Sequence, residues 1–116
     1  MKIAITGATG FVGTELIKQL DAAGDSLKCW RRPVSNLEHL APYEIDWIQG
    51  ELGAEDSANE LVAGCDVVVH AGLWRSGMSF QANESDVVKY ARINILGTLQ
   101  LIEAAIAANV KRFIFV

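Results

Sequence analysis

The sequence predicts an α/β fold: a doubly wound parallel sheet with helices on both faces and strand order 3-2-1-4-5. Three observations carry this. Short β-rich runs alternate with helix-like stretches along all 116 residues. The fourth β-rich run, DVVVH at 66–70, has the triple valine of a strand buried on both faces. Three glycines, Gly7, Gly10 and Gly13, stand where the first strand hands over to the first helix.

The elements follow in order. KIAIT at 2–6 is a short strand. Residues 11–23 place Val12, Leu16, Ile17 and Leu20 at helical spacing, and Gly24 stops that helix. SLKCW at 26–30 is the second strand, and Ser35 caps a short helix running through Leu40. EIDWIQ at 44–49 is the third strand; a short helix at 56–63 is closed by Gly64. After the fourth strand, a loop rich in Gly, Ser and Asn runs from Leu73 to about Asn83. The longest helix is expected over 84–108, ended by Asn109 in the left-handed conformation. KRFIFV at 111–116 is the fifth strand, and its apolar run is expected at a sheet edge with unpaired backbone groups. Connections right-handed at each crossover put the binding crevice beside the first strand, where the strand order reverses.

Composition narrows the function. Apolar residues make up 51% of the chain, enough for one real core. A net charge of −4, with acids and bases interleaved, argues against a nucleic-acid surface. No apolar run reaches the ~18 residues that span a bilayer. Gly7 and Gly10 interrupt the apolar N-terminus, so it reads as part of the fold rather than as a leader. Cys29 and Cys65 have neither metal nor redox spacing and are expected as reduced, buried thiols of a cytoplasmic protein. No His, Cys, Asp and Glu cluster has metal-ligand spacing, so no metal is expected.

The glycines of TGATGFVG each have a physical task. Gly7 ends the strand and permits a tight turn. Gly10, lacking a Cβ, lets a diphosphate approach the backbone. Gly13 lets the first helix pack close to the sheet. The helix start then offers free N–H groups and a positive dipole end, so Thr9, Phe11 and Val12 are expected beside phosphates, with the Thr9 hydroxyl as an added donor. This is the pattern of a dinucleotide site. An NAD site usually carries an acid at the end of the second strand; this chain has WRRP there. Arg31 and Arg32 suit a ribose 2′-phosphate, so the cofactor expected is NADP, with NAD as the alternative.

Other residues are weighed against plainer roles. His70 has the chemistry of a general base, but at the end of a buried strand it is expected as a packed structural histidine. His39 is expected on the surface, and Glu15 is expected to point outward. Asp66 and Asp86 read as the starts of a strand and a helix. Trp74 and Arg75, after the fourth strand, cover the nicotinamide, touch substrate, or simply stack within the loop.

These motifs resemble the extended short-chain dehydrogenase/reductase family, also called the NAD-dependent epimerase/dehydratase family. TGATGFVG is similar to its glycine fingerprint. QGEL, with Glu51 and Leu52, resembles the segment framing the adenine, where the family usually has Asp instead of Glu51. CDVVVHAG, with His70, Ala71 and Gly72, resembles the fourth-strand motif beside the cofactor ribose. NILGTLQLIEAA resembles the central helix motif, in which Asn94 steadies the strand ends. The branch most similar is the dihydroflavonol-reductase-like one, which uses NADP through arginine.

The resemblance implies a Rossmann-like cofactor domain at 1–116, truncated after the fifth strand, with the catalytic and substrate-binding part absent. Family catalysis uses a Ser or Thr just after that strand and a Tyr-x-x-x-Lys helix. Here Tyr43 is followed four residues on by Trp47, and Tyr90 by Asn94, so no catalytic residue is assigned. The complete protein would act on a carbonyl, an alcohol or a nucleotide sugar. The competing reading is a non-catalytic NADP-binding sensor or regulatory module, whose fifth strand pairs with a second copy of the chain as a homodimer.

Overall fold

The computed structural model describes residues 1–75 and 84–116. Most of the loop expected at 73–83 and the side chain of Asp86 lie outside the described residues. The elements run β1 (Lys2–Thr6), α1 (Phe11–Ala22), β2 (Ser26–Arg31), a 3-10 turn (Glu38–Leu40), β3 (Ile45–Gln49), α2 (Glu55–Val62), β4 (Val67–His70), α3 (Glu84–Ala91), a π turn (Arg92–Leu96), α4 (Gly97–Ala107) and β5 (Arg112–Phe115). The strands form one parallel sheet in the expected order, β3-β2-β1-β4-β5.

Alternation along the strands builds a core on each face. Ala4 and Val68 meet Ala58, Leu61 and Val62 of α2 and Leu101, Ala104 and Ala105 of α4. Ile3, Ile5, Val67 and Val69 face the other way, toward Ile17 of α1, Leu27, Cys29 and Leu40. All four residues of β4 are therefore buried, as its valine run predicts. Lys28 is buried on β2 because its ammonium donates to the carbonyls of Glu60 and Ala63, at the C-terminal end of α2. Burial pushes the Cys29 thiol up to about 12, and the nearby Cys65 and Asp46 add to this. Burial also raises the Cys65 thiol, and both cysteines are free. Two inert, packed thiols result. At the sheet edge, Ile114, Phe115 and Val116 are exposed.

Turn chemistry matches the sequence at Gly24, Gly64 and Asn109, which all have positive φ. The segment after β2 differs from expectation. Ser35 does not cap a helix; its hydroxyl accepts from the Arg32 N–H at 2.9 Å. Asn36 instead accepts from the Glu38 N–H at 3.0 Å, and only a 3-10 turn forms before Leu40. Pro33 and this side-chain bond use Ser35 to fold the turn back on the end of β2. The long helix also differs: its 84–107 course is interrupted by the π turn, where side chains and packing change phase.

Candidate functional site

The central turn begins with Gly7 at φ +72°, a conformation that L side chains rarely adopt. A Cβ there would also lie 2.8 Å from the Ala71 carbonyl group and the Gly72 nitrogen, so the turn after β1 presses against the end of β4. Gly13 is more tightly enclosed: its Cβ would sit 2.0 Å from the Gly7 oxygen. The close approach that Gly13 permits is thus to the turn itself. Gly10 has only the Gly7 oxygen near, at 3.4 Å, which leaves its outer side open.

Gly10 is the N-cap of α1 and supplies no side-chain cap. Its own N–H donates to the Gly7 carbonyl and its carbonyl accepts from Thr14. The amides of Phe11, Val12 and Gly13 are left without an acceptor within the helix. Donors arranged this way, at the positive end of a helix and against an open glycine, suit an anionic diphosphate. The residues present therefore fit a dinucleotide.

The turn opens into a cleft of about 920 Å³ at the C-terminal ends of the strands. Gly7, Thr9, Gly10 and Phe11 line its centre. Arg32, Glu51 and Leu52 line it beyond β2 and β3, and Ala71, Gly72, Trp74 and Arg75 beyond β4. Nine of the sequence-assigned cofactor residues are among these lining positions. Val12, Gly13, Arg31, His70 and Asn94 are not. Val12 borders a separate groove of about 670 Å³ along α1. Arg31 remains in β2, paired in register with Gln49, so the two arginines are separated and Arg32 alone faces the cleft. Glu15 is exposed and accepts from Gln19 at 3.0 Å, and His39 is likewise exposed.

His70 is 1% exposed, and both ring nitrogens are engaged. Nδ1 lies 2.6 Å from the Thr6 hydroxyl and Nε2 lies 2.8 Å from the Thr98 hydroxyl of α4. Thr6 Oγ1 in turn accepts from the Gly72 N–H at 2.9 Å. His70 therefore presents no ring nitrogen to the cleft. Its place is beneath it, tying α4, β4 and β1 to the loop that carries Gly72. Burial holds its imidazole below the ordinary histidine pKa, which keeps it neutral. Asn94 acts comparably. From the π turn, its Oδ1 accepts from the Trp74 N–H and its Nδ2 donates to the Trp74 carbonyl. It steadies the segment after β4 rather than touching the cleft.

Sequence reasoning missed several lining residues. Trp30 lies beneath the end of β3, with its indole N–H donating to the Ser57 carbonyl at 2.9 Å. A Cβ on Gly50 would meet Ser57 Cβ at 2.4 Å, so the loop after β3 lies tight on α2. Ser35, whose chemistry is that of a helix cap, and Lys89 and Ile93, which belong to no motif, all border the cleft. The signal for Lys89 and Ile93 is their i, i+4 spacing one residue before Asn94, which places them on one side of the helix. Among the described residues, no group of three or more metal-ligating side chains comes together. Among the same residues, no helix is long and apolar enough to cross a membrane.

Comparison with known proteins gives a consistent picture. A model of the NAD dependent epimerase/dehydratase family matches residues 3–116. A putative dihydroflavonol 4-reductase of Synechocystis is 30% identical over 115 residues, covering 96% of this chain and 31% of its own length. A UDP-glucose 4-epimerase of Klebsiella pneumoniae is 33% identical over 125 residues, covering 99% of this chain and 87% of its own length. Among solved structures, an NAD-bound short-chain dehydrogenase/reductase superfamily protein of Agrobacterium tumefaciens superposes with a TM-score of 0.78 at 25% identity. That match covers 99% of this chain and 32% of the other. The chain spans about a third of the length of the first curated relatives it matches.

Proposed function

Because the chain belongs to the NAD-dependent epimerase/dehydratase family, we propose that residues 1–116 form its NADP-binding domain within an oxidoreductase or epimerase. The observation carrying this reading is the glycine turn: unpaired amides at the start of α1 face a cleft that also holds Arg32. In this reading the diphosphate lies over Gly7 and Gly10 and accepts from the amides of Phe11 and Val12. Gly13 acts indirectly, by letting α1 close onto the turn. The adenosine end extends toward Glu51 and Leu52, and the nicotinamide end toward Ala71 and Gly72. His70 and Asn94 hold this second wall in place without contacting the cofactor.

The preference for NADP rests on Arg32 and on Ser35, whose hydroxyl accepts the Arg32 N–H and thereby fixes the turn. A guanidinium there pairs with a 2′-phosphate, and no acid occupies the end of β2 to hold the NAD ribose instead. Arg31 contributes charge from β2 rather than a contact.

The bound nicotinamide supplies hydride acceptance or donation. This chain's own residues bind and orient it but include no Tyr-x-x-x-Lys pair, so the 116 residues bind cofactor without turning over a carbonyl substrate. In a complete protein the substrate is a carbonyl, an alcohol or a nucleotide sugar, the last by similarity to the UDP-glucose 4-epimerase. Side-by-side calorimetric titration with NADP and NAD tests the reading. Tighter uptake of NADP supports it; uptake of neither, or a preference for NAD, overturns the cofactor assignment.

A further inference from the structure

The two walls of the cleft come from different parts of the chain. The wall of Glu51 and Leu52 follows β3, and the wall of Gly72 and Trp74 follows β4. Both rest on one short segment behind them, residues 93–98, which joins the π turn to the start of α4.

Two pairs of residues, each four apart, make the contacts. Ile93 and Gly97 meet the loop after β3. A Cβ on Gly97 would lie 2.8 Å from the Gly53 nitrogen and 3.0 Å from Leu52 Cγ, so α4 starts directly against that loop. A Cβ on Gly53 would lie 3.8 Å from Ile93 Cγ1, an ordinary packing distance. Asn94 and Thr98 meet the other wall. Asn94 holds the Trp74 main chain at both polar groups. Thr98 holds His70, which reaches the Gly72 N–H through the Thr6 hydroxyl. Asn94 and Gly97 are both buried, so a shift at one contact passes to the neighbours rather than being absorbed by solvent.

We propose that Ile93, Asn94, Gly97 and Thr98 form a positioning strut that couples the two walls energetically, so that a ligand held at Glu51 and Leu52 orders Trp74 across the cleft. This rests on the dinucleotide reading above and adds an order of events to it. The adenosine half of the cofactor prepares the wall that receives the nicotinamide half. Because the segment is already ordered, less conformational entropy is lost when the second half docks. By reciprocity, a filled nicotinamide side tightens the hold on adenosine. Trp74 is the better reporter of the coupling, because Gly72 is also pressed by Gly7 of the glycine turn.

The test follows hydrogen exchange at the Trp74 amide by NMR, with adenosine 2′,5′-bisphosphate as the probe. This molecule carries the adenosine half alone, and its uptake by the wild-type chain is measured first by calorimetry. At saturation the Trp74 amide is expected to exchange at least about fivefold more slowly than in the free chain. Gly97→Ala drives a methyl group into the Gly53 backbone, and Ile93→Ala withdraws the packing beside it. In either variant, saturated with the same probe, the slowing is expected to fall below about twofold. Ile93→Ala adds no volume and carries the test if Gly97→Ala does not fold. An unchanged Trp74 rate on saturating the wild-type chain overturns the proposal. So does a slowing that a folded variant keeps in full, which would be general stabilisation by ligand rather than passage through the strut. If the wild-type chain takes up no probe, the dinucleotide reading falls and the coupling with it; uptake without change at Trp74 removes the coupling alone.

Discussion

Asn94 grips the main chain of Trp74 from both sides, with its Oδ1 2.8 Å from the Trp74 nitrogen and its Nδ2 2.9 Å from the Trp74 oxygen. One side chain thereby satisfies both polar groups of a residue in an otherwise irregular segment. Asn94→Leu keeps the approximate volume but leaves both Trp74 groups unmatched. It should cost about 1–3 kcal/mol, read as a lower urea midpoint at unchanged slope. NADP affinity should fall as well, because the wall containing Gly72 loosens.

Gly13→Ala puts a methyl carbon 2.0 Å from the Gly7 oxygen. Neither partner is a flexible side-chain end, so α1 must move away from the turn. The expected destabilisation is at or beyond the upper end of the ~1–3 kcal/mol seen for overpacking. Thermal melting should show it, with NADP binding lost at temperatures where the variant is still folded.

The cofactor preference should respond unequally to the two arginines. Arg32→Ala should lower the ratio of NADP to NAD affinity by about tenfold, the scale of one lost charge-assisted contact. Arg31→Ala should change it by less than about threefold, since Arg31 acts only through its charge at a distance. Parallel titrations with both cofactors provide the check; equal effects would return Arg31 to the cleft.

His70 makes stability depend on pH. Its folded-state pKa is lowered from the ordinary 6.5 by burial, so the unfolded chain takes up the proton first as pH falls. Stability is fully present above pH ~6.5 and declines as pH drops through the lowered folded-state value. Urea unfolding between pH 8 and 5 should show this decline, and His70→Asn should remove the part that His70 contributes.

Lys28 can be tested with Lys28→Met, which keeps the buried stem but removes the ammonium. The carbonyls of Glu60 and Ala63 then lose their donor at the end of α2, at a cost of about 1.5–3 kcal/mol. Hydrogen exchange should report the loss in the last turn of α2 before it appears in the sheet.

The architecture was legible because it rests on period and punctuation. The valines of β4, the apolar spacing in α1 and the left-handed positions at Gly24, Gly64 and Asn109 are each local in sequence. The turn at Gly7 was legible for the same reason. The site was readable only in part, since contacts across the fold leave no local trace. The separation of Arg31 from Arg32 depends on where β2 ends, one residue later than the pattern suggests. The Thr6–His70–Thr98 chain joins residues 28 to 64 positions apart. Ser35 has the chemistry of a cap, and only the fold-back toward Arg32 reveals its other use.

The π turn at Arg92–Leu96 gives one rod two orientations. A turn of this kind takes up about one residue more than an α-helical turn, and each α-helical residue turns the face by ~100°. Upstream, Lys89 and Ile93 look onto the cleft; downstream, Leu101, Ala104 and Ala105 look into the core. Winding the same residues as an uninterrupted α-helix would instead rotate one half against the other by ~100°. Either the ligand wall or the apolar seam would then turn to solvent, so this irregularity works as a phase shifter between recognition and packing.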